Sequence, residues 1–532
     1  NSCRHTLRSG GHVFFLFPAA FAAFPGASLI VTDSHHPGEI IISFKEIFEK
    51  GASLYQDYFP VSGLFSVILG GINELLGGKY SYAALTSALF CMLVAIVTAW
   101  VLCKYMQNYY VAILSFFITL ALPPYMIRTQ FILPFVLILF LPKLRKKYQL
   151  LLYLLFSLIM VLYYPLYGVA FAVGLFPYEI YILWREVSEV KEKKNLIDLK
   201  VWIYGVLLLL IYLCCIPLLW KMAKHMLIYS SQSLLADGYT VIGQKVPDDF
   251  LTLLKSYEGI RKLIFYALWF FVPISILSVC SYCIGKQFKE GWKKVFKNRY
   301  FYIMLFIIIF SCISFSYSQM RVETNLLGRT AGVLFPLIPI LFSVICYERK
   351  TSSYQHFLYG ILLFVLLVSY DGSMLSDIKN HFISKYDVDK SLIYVDKDIE
   401  NIGVGFFEPN IYEDCVDFKN ITNYYGNDVY YTGLYFAQIY ASDIKAIGQP
   451  NMIAMKSKAA IDETVGLFYD RDVVVANKMT PYGQYRWNKF LMTSDEMIYD
   501  SRTNCFVSKK LSKKMNIVGD DKSLYHYQME NI

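Results

Sequence analysis

The chain has 532 residues, of which 56% are hydrophobic, and its mean hydropathy is +0.42. A soluble domain is about 45–50% apolar, and the excess is concentrated between residues 13 and 370. The formal net charge of +9 does not indicate nucleic-acid binding, because the basic residues lie in short loops between apolar runs. The composition therefore predicts an α-helical polytopic membrane protein with a soluble C-terminal region.

The apolar runs predict about eleven membrane-spanning helices. Pro165 divides the long run 149–184, since proline removes a helix hydrogen bond and clashes with the preceding turn. The run 61–77 is short and is placed at the interface, and the first span has a cleaved signal peptide as its alternative reading. The predicted spans are near 13–31, 81–104, 109–123, 129–142, 149–163, 165–184, 201–220, 262–284, 301–318, 329–347 and 354–370.

The charges of the loops predict the topology. Loops rich in Lys and Arg occur at 143–147, 185–200, 285–299 and 348–350, and the positive-inside rule places such loops in the cytoplasm. The loops at 33–60 and 221–261 and the tail after residue 371 then face the outside. The expected location is the cell (inner) membrane, with a cytoplasmic N-terminus, a transmembrane domain over 1–384 and an extracytoplasmic domain over 385–532.

The C-terminal region alternates polar segments with strand-like runs at 428–441 and 471–478 and a helix-like run at 457–468. This pattern predicts a small α/β domain. Cys415 and Cys505 are its only cysteines. Outside the cell they can form a disulfide, and the alternative is two separately buried thiols. The sequence contains no paired CxxC or HExxH zinc motif.

Residues 32–60 carry a dense group of titratable side chains directly after the first apolar run. The segment 37–51 predicts a short amphipathic helix that stops at Gly51, with Ile40, Phe44, Ile47 and Phe48 on one face and Lys45, Glu46, Glu49 and Lys50 opposite. A second surface helix is predicted within 61–77. Asp33 and Asp57 would then border a groove that a lipid head group can enter.

Each of these residues also has a structural interpretation. Glu39 suits a helix N-terminus, His36 suits a solvated loop, and Asp57 suits a turn before Pro60. Asp33 is harder to explain structurally, because a carboxylate at the membrane centre costs about 2.5–3.5 kcal/mol and ionisable residues near the hydrocarbon usually mark function.

The order of these parts resembles the glycosyltransferase C superfamily of membrane enzymes. The matching features are an acidic residue after the first span (Asp33), "HPGE" at 36–39, and "LYQDYFPVSGLF" at 54–65. The resemblance covers about residues 29–80 and implies transfer of a sugar from a polyprenyl-phosphate-linked donor to a glycan, lipid or protein acceptor. It implies that Asp33 is the catalytic base and that Asp57 is a second catalytic acid of open role.

The same match places His36, Glu39 and Tyr55 at the substrate. Outward-facing arginines are candidates for gripping the donor phosphate, because a guanidinium can hold phosphate oxygens bidentately. These candidates are Arg128, Arg321 and Arg329. No adjacent Asp-x-Asp pair is present, so the sequence predicts no certain cofactor and leaves a divalent metal open.

Two other functions remain open from the sequence. A polysaccharide polymerase or ligase of another membrane class would place basic catalytic residues in large loops between later helices. A transporter of lipid-linked sugars predicts ionisable residues in mid-helix and a repeat between the two halves of the chain.

Overall fold

The structure is a computed structural model. It describes residues 30–31, 33, 36–58, 60, 62–106, 112, 116, 131–140, 146–193, 199–230, 278, 280–282, 284–286, 288–289, 291, 295–319, 391–396, 401–426, 430–431, 436–443, 445–446, 471–476 and 491–524. The chain forms two compact units. One consists of residues 1–27, 88–214 and 241–386, and the other of residues 28–87, 215–240 and 387–532.

In the first part of the chain the described residues are almost entirely helical. Up to residue 319 they are β1 (Ile30–Val31), α1 (His36–Phe44, continued by a π-helical turn Lys45–Glu49), α2 (Leu64–Leu75), a 3-10 turn (Tyr80–Tyr82), α3 (Ala83–Met106), α4 (Ile132–Leu139), α5 (Lys146–Tyr163), α6 (Pro165–Lys193), α7 (Leu199–Ser230) and α8 (Arg299–Gln319).

The second part mixes short strands with helices. From residue 391 the elements are β2 (Ile393–Val395), β3 (Gly405–Phe407), α9 (Pro409–Tyr425), β4 (Tyr430–Tyr431), α10 (Phe436–Ser442), β5 (Lys445–Ala446), β6 (Val473–Ala476), β7 (Met497–Asp500), β8 (Cys505–Ser508), α11 (Lys509–Met515) and a final 3-10 turn (Lys522–Leu524).

Within the described residues, three helices are long and apolar enough to cross a membrane: Tyr80–Cys103, Pro165–Ser188 and Leu199–Lys224. These segments make the chain an integral membrane protein. Helices α3 to α8 coincide with predicted spans. The predicted spans near 13–31, 109–123, 262–284, 329–347 and 354–370 lie wholly or mostly outside the described residues, so the total of about eleven stays a prediction.

In the first unit, α6 packs against α5 and α8. The predicted break is confirmed, because α5 ends at Tyr163 and α6 begins at Pro165. One carboxyl group lies inside this helical packing. Glu179 is buried and accepts a hydrogen bond of 3.1 Å from Gln149, which also donates to the Leu139 carbonyl at 2.7 Å. The span 165–184 therefore contains an ionisable side chain that has a polar partner.

The second unit contains two small sheets. In the three-stranded sheet, β3 lies between β1, to which it is parallel, and β2, to which it is antiparallel. The five-stranded sheet has the order β5-β4-β6-β8-β7. Strand β4 pairs in parallel with β5 and β6, and β8 pairs antiparallel with β6 and β7. Since β1 comes from residues 30–31, the first sheet joins the start of the chain to residues 393–407.

One hydrophobic core in this unit combines both ends of the chain. Ile41 and Ile42 of α1 share it with Phe407, Phe418 and Phe436. Helix α1 packs against α2 and α10, and α10 packs against α9. The sequence-based division at residue 385 assigned residues 33–60 to the membrane domain, whereas this unit groups them with residues 387–532.

The structure corrects the predicted disulfide. Cys415 and Cys505 are both free thiols, and both are fully buried in this core. Burial raises the pKa of Cys505 to about 12. Each thiol therefore behaves as a small hydrophobic side chain, which was the alternative interpretation of the two cysteines.

Two predicted elements differ in detail. Ile30 and Val31, predicted to end the first membrane helix, form β1. The strand-like run 428–441 is a strand only at Tyr430–Tyr431 and becomes helix α10 at Phe436. The run 473–476 is a strand as predicted, and the helix-like run 457–468 lies outside the described residues.

The predicted helix over residues 37–51 forms over residues 36–49, but part of the face that was predicted to be polar is buried. Lys45 and Glu46 are 5% and 0% exposed, whereas Phe48 is 64% exposed. Ile40, Ile41 and Ile42 are consecutive and cover much of the helix circumference, so the sequence pattern permits either face. The structure buries Ile41 and Ile42 together with the two charges.

Gly70 allows α1 and α2 to pack closely. A Cβ atom there would collide with the Ile41 carbonyl oxygen and lie 2.6 Å from the Phe44 Cβ atom. At Gly71 of the same helix it would meet only the Phe44 ring, at 3.2 Å. Backbone cannot move aside as a side chain can, so α2 approaches α1 through a surface that only glycine provides at position 70.

We expect Gly70→Ala to lower the free energy of unfolding by about 1–3 kcal/mol, as overpacked sites do. Gly71→Ala is the matched control, because both changes gain the same helix propensity of about 1 kcal/mol. The measurement is the thermal denaturation midpoint of each purified variant in detergent. Equal midpoints for the two variants would contradict the close packing at Gly70.

Candidate active site

The main chain at Asp33 is held by two hydrogen bonds from other parts of the chain. Two residues before it, the Val31 carbonyl accepts a hydrogen bond of 3.1 Å from the backbone N–H of Glu408. The carbonyl of Asp33 itself accepts a hydrogen bond of 2.9 Å from the hydroxyl of Tyr80. Asp33 is partly exposed. A carboxyl group at this position is therefore accessible while its backbone is fixed by distant parts of the chain.

Asp57 has a different environment. One carboxylate oxygen accepts a 3.1 Å hydrogen bond from the Ser53 N–H, and the other pairs with the Arg471 guanidinium at 2.5 Å. Burial alone would raise the pKa of Asp57, but the Ser53 hydrogen bond and the Arg471 charge outweigh it and hold that pKa below its usual value. Asp57 therefore stays ionised and is a weaker proton acceptor than an ordinary aspartate.

Tyr55 lies in the turn that contains Asp57. Its φ of +58° is unusual for a residue with a side chain, and its N–H donates to the Tyr58 carbonyl at 2.8 Å. The ring is 8% exposed, and burial raises the pKa of Tyr55. The phenol therefore stays protonated at neutral pH. Contact of Tyr55 with a substrate stays a prediction.

The remaining predicted residues are placed only in part. His36 and Glu39 lie in the first turns of α1. Arg128, Arg321 and Arg329 lie outside the described residues. Over the part of the chain that the structure describes, no group of three His, Cys, Asp or Glu side chains could hold a metal ion. The proposed roles of these residues and of a divalent metal stay predictions.

Lys221 of α7 reaches the same turn. Its ammonium donates a 3.1 Å hydrogen bond to the side-chain carbonyl of Gln56. The sequence predicts Lys221 at the start of the outward-facing loop 221–261, whereas in the structure it lies within α7. The turn is thus contacted by Lys221 on one side and by Arg471, through Asp57, on the other.

A buried polar network that the sequence did not predict lies next to these residues. Lys45 is its centre. The Lys45 ammonium donates 3.1 Å hydrogen bonds to the Gly78 carbonyl and the Asn401 side chain, and it lies 3.7 Å from a Glu74 carboxylate oxygen. It also lies 4.5 Å from the centre of the Tyr440 ring, a distance at which a cation is attracted to the aromatic face.

The network continues through Asn73. Its amide nitrogen donates to the Lys79 carbonyl and to the Tyr440 hydroxyl at 3.1 Å each, and its oxygen accepts from Thr86 at 3.0 Å. Lys50 adds two ion pairs to the network: its ammonium lies 3.3 Å from a Glu46 carboxylate oxygen and 3.6 Å from an Asp443 carboxylate oxygen. These contacts connect α1, α2 and the start of α3 to residues 401–443.

The pKa of Glu74 reflects opposing effects of burial and of its neighbours in the network. Burial raises the pKa of Glu74, while the charge of Lys45 and the hydrogen bond from Tyr440 lower it, and the net result is above the usual value. The Lys45 charge therefore favours the ionised form of Glu74, whose side chain is 23% exposed.

Comparisons with known proteins give one structural similarity. No protein-family model matches the sequence, and no curated protein matches it. The structure is similar to the crystal structure of ArnT from Cupriavidus metallidurans bound to undecaprenyl phosphate, with 13% sequence identity and a TM-score of 0.40, over 94% of this chain and 98% of that chain. A TM-score this low shows neither family nor activity.

We expect Lys45→Met to destabilise the protein by about 2 kcal/mol near pH 8, less than the 3–5 kcal/mol of a fully buried broken pair, since Glu74 is partly exposed. The loss should shrink as the pH is lowered. Without the Lys45 charge the folded-state pKa of Glu74 rises further, so the missing stability returns when Glu74 is protonated.

The measurement is the thermal denaturation midpoint between pH 5 and pH 8. Lys513→Met, at an exposed lysine of α11, is the control and should change little. The double variant with Glu74→Gln should recover part of the loss at pH 8. A loss in Lys45→Met that does not depend on pH would argue against Glu74 as the partner that matters.

Proposed function

We propose that the protein is a membrane glycosyltransferase that moves a sugar from a polyprenyl-phosphate-linked donor to an acceptor on the outer face of the membrane. The acceptor hydroxyl attacks the anomeric carbon, the bond from that carbon to the phosphate oxygen breaks, and the polyprenyl phosphate leaves with the bonding electrons. Asp33 takes the proton from the hydroxyl as general base.

The observation that carries this proposal concerns both acids: the backbone of Asp33 is fixed by hydrogen bonds, and the carboxylate of Asp57 is engaged in an ion pair. A general base must be accessible to the substrate and fixed in position. Asp33 is partly exposed and its carbonyl is held by Tyr80. Asp57 has hydrogen bonds at both carboxylate oxygens and a lowered pKa. The lowered pKa makes Asp57 a weak base that suits a structural and electrostatic role, so Asp33 is the acid that we assign as the base.

The sequence around these acids supports the choice of reaction. The order of Asp33, "HPGE", a short helix that ends before Gly51, and "LYQDYFPVSGLF" resembles the first outer loop of glycosyltransferase C enzymes. Both helices of this pattern, α1 and α2, are present. A polysaccharide polymerase or ligase would use basic catalytic residues in large loops between later helices, whereas the acids assigned here lie in the first loop.

We expect Asp33→Asn to reduce transfer by about 10²–10⁴-fold, the usual contribution of a general base, because the amide keeps the shape but cannot accept the proton. The assay is release of polyprenyl phosphate from synthetic polyprenyl-phosphate hexoses and pentoses in membranes that contain the protein. Asp417→Asn, at an exposed aspartate of α9, is the matched control. Near-normal turnover of Asp33→Asn at equal protein levels would rule out the base assignment.

The donor class has its own test. We expect polyprenyl phosphate to co-purify with the protein and to be detected by mass spectrometry of its lipid extract. If none of the synthetic donors is turned over and only phospholipid co-purifies, the transferase proposal is contradicted.

Arg321 and Arg329 are proposed to hold the donor phosphate. Arg→Lys at either position keeps the charge but loses the bidentate grip. We expect the KM for the donor to rise roughly tenfold, since a charge-assisted hydrogen bond contributes about 1.5–3 kcal/mol. Arg502→Lys is the control, because Arg502 holds the Asp500 carboxylate at 2.9 and 3.0 Å. An unchanged KM in both lysine variants would assign these arginines a structural role.

A further inference from the structure

Tyr80 connects Asp33 to several other segments of the chain. It lies in the 3-10 turn before α3 and is 1% exposed. Its hydroxyl donates to the Asp33 carbonyl at 2.9 Å. Gly38, in the first turns of α1, lies directly against the Tyr80 ring. The buried side chain of Tyr80 thus links the loop that carries Asp33, through its hydroxyl, to the start of α1, through its ring.

The position of Tyr80 is itself fixed by the C-terminal part of the chain. Its backbone N–H donates to the Asn401 carbonyl at 2.7 Å, and that of Ser81 donates to the Ile402 carbonyl at 2.9 Å. The ring packs edge-on against Tyr440, with 5.8 Å between ring centres. The phenol therefore has little freedom to move.

Gly38 provides the space that this arrangement needs. A Cβ atom at residue 38 would lie 2.7 Å from a ring carbon of Tyr80 and collide with the Phe436 side chain. Helix α1 can therefore bring its first turn against the Tyr80 ring only because residue 38 has no side chain.

We propose that Tyr80 is a positioning residue for Asp33: its hydroxyl fixes the Asp33 main chain relative to α1 and so sets where the carboxylate meets the acceptor. This inference rests on the proposed function of Asp33 as general base. Tyr80 itself does not touch the reacting atoms. It acts by limiting the positions that the carboxylate can take, and small misplacements of a reacting group reduce rate strongly.

The test is Tyr80→Phe, which removes the hydroxyl and keeps the ring. We expect the kcat for release of polyprenyl phosphate to fall by about 10- to 100-fold, with little change in the KM for the donor, because binding does not depend on the hydroxyl. Amide hydrogen exchange in residues 33–41 should become faster. Tyr440→Phe is the matched control: this hydroxyl is also buried, but it contacts Asn73 and Glu74 instead of Asp33.

A double variant separates positioning from a general structural role. In the Asp33→Asn background, Tyr80→Phe should cause no further loss of kcat, because there is no base left to position. If Tyr80→Phe lowers kcat by the same factor in both backgrounds, or lowers it no more than Tyr440→Phe does, the inference is overturned while the base assignment stands. If Asp33→Asn alone retains normal turnover, the base assignment fails, and the positioning role fails with it.

Discussion

The ammonium group of Lys45 is the constraint on which the second unit depends. A buried charge is strongly unfavourable unless it is paired and hydrogen-bonded. Lys45 meets this requirement by combining groups from three parts of the chain: Glu74 in α2 with Gly78 shortly after it, Asn401 before β3, and the Tyr440 ring of α10. Once α1 has turned Lys45 inward, residues 36–78 and 401–440 must lie together.

The same connection determines the environments of both acidic residues. The strand before Asp33 pairs with β3, and Tyr80, which holds the Asp33 carbonyl, is itself held by Asn401. Asp57 is paired with Arg471, directly before β6. The environments of the two acids therefore depend on residues that are hundreds of positions away, and the local sequence around the two acids does not determine them.

This explains how far the sequence could predict the structure. The start and end of α1, helix α2, the break at Pro165 and strand β6 follow from local signals, because proline, glycine and apolar periodicity act within a few residues. The buried face of α1 does not follow from local signals. Three consecutive isoleucines fit either face, and the choice depends on partners for Lys45. Ile30 and Val31 continue an apolar run, and only pairing with Phe406 and Phe407 makes them a strand.

The long-range contacts also bear on what residues 387–532 do. From the sequence they look like a separate soluble module that could recognise an acceptor. In the structure they supply Glu408 to the strand before Asp33, Arg471 to Asp57, and Asn401 and Tyr440 to Lys45. Without them, Lys45 would lose two of its partners and Asp57 its cation. Asp57 and Arg471 are 414 residues apart, and the chain is made from its N-terminus. The first acidic loop therefore obtains its final contacts only after nearly the whole chain has been synthesised, which makes the C-terminal region a structural part of the site.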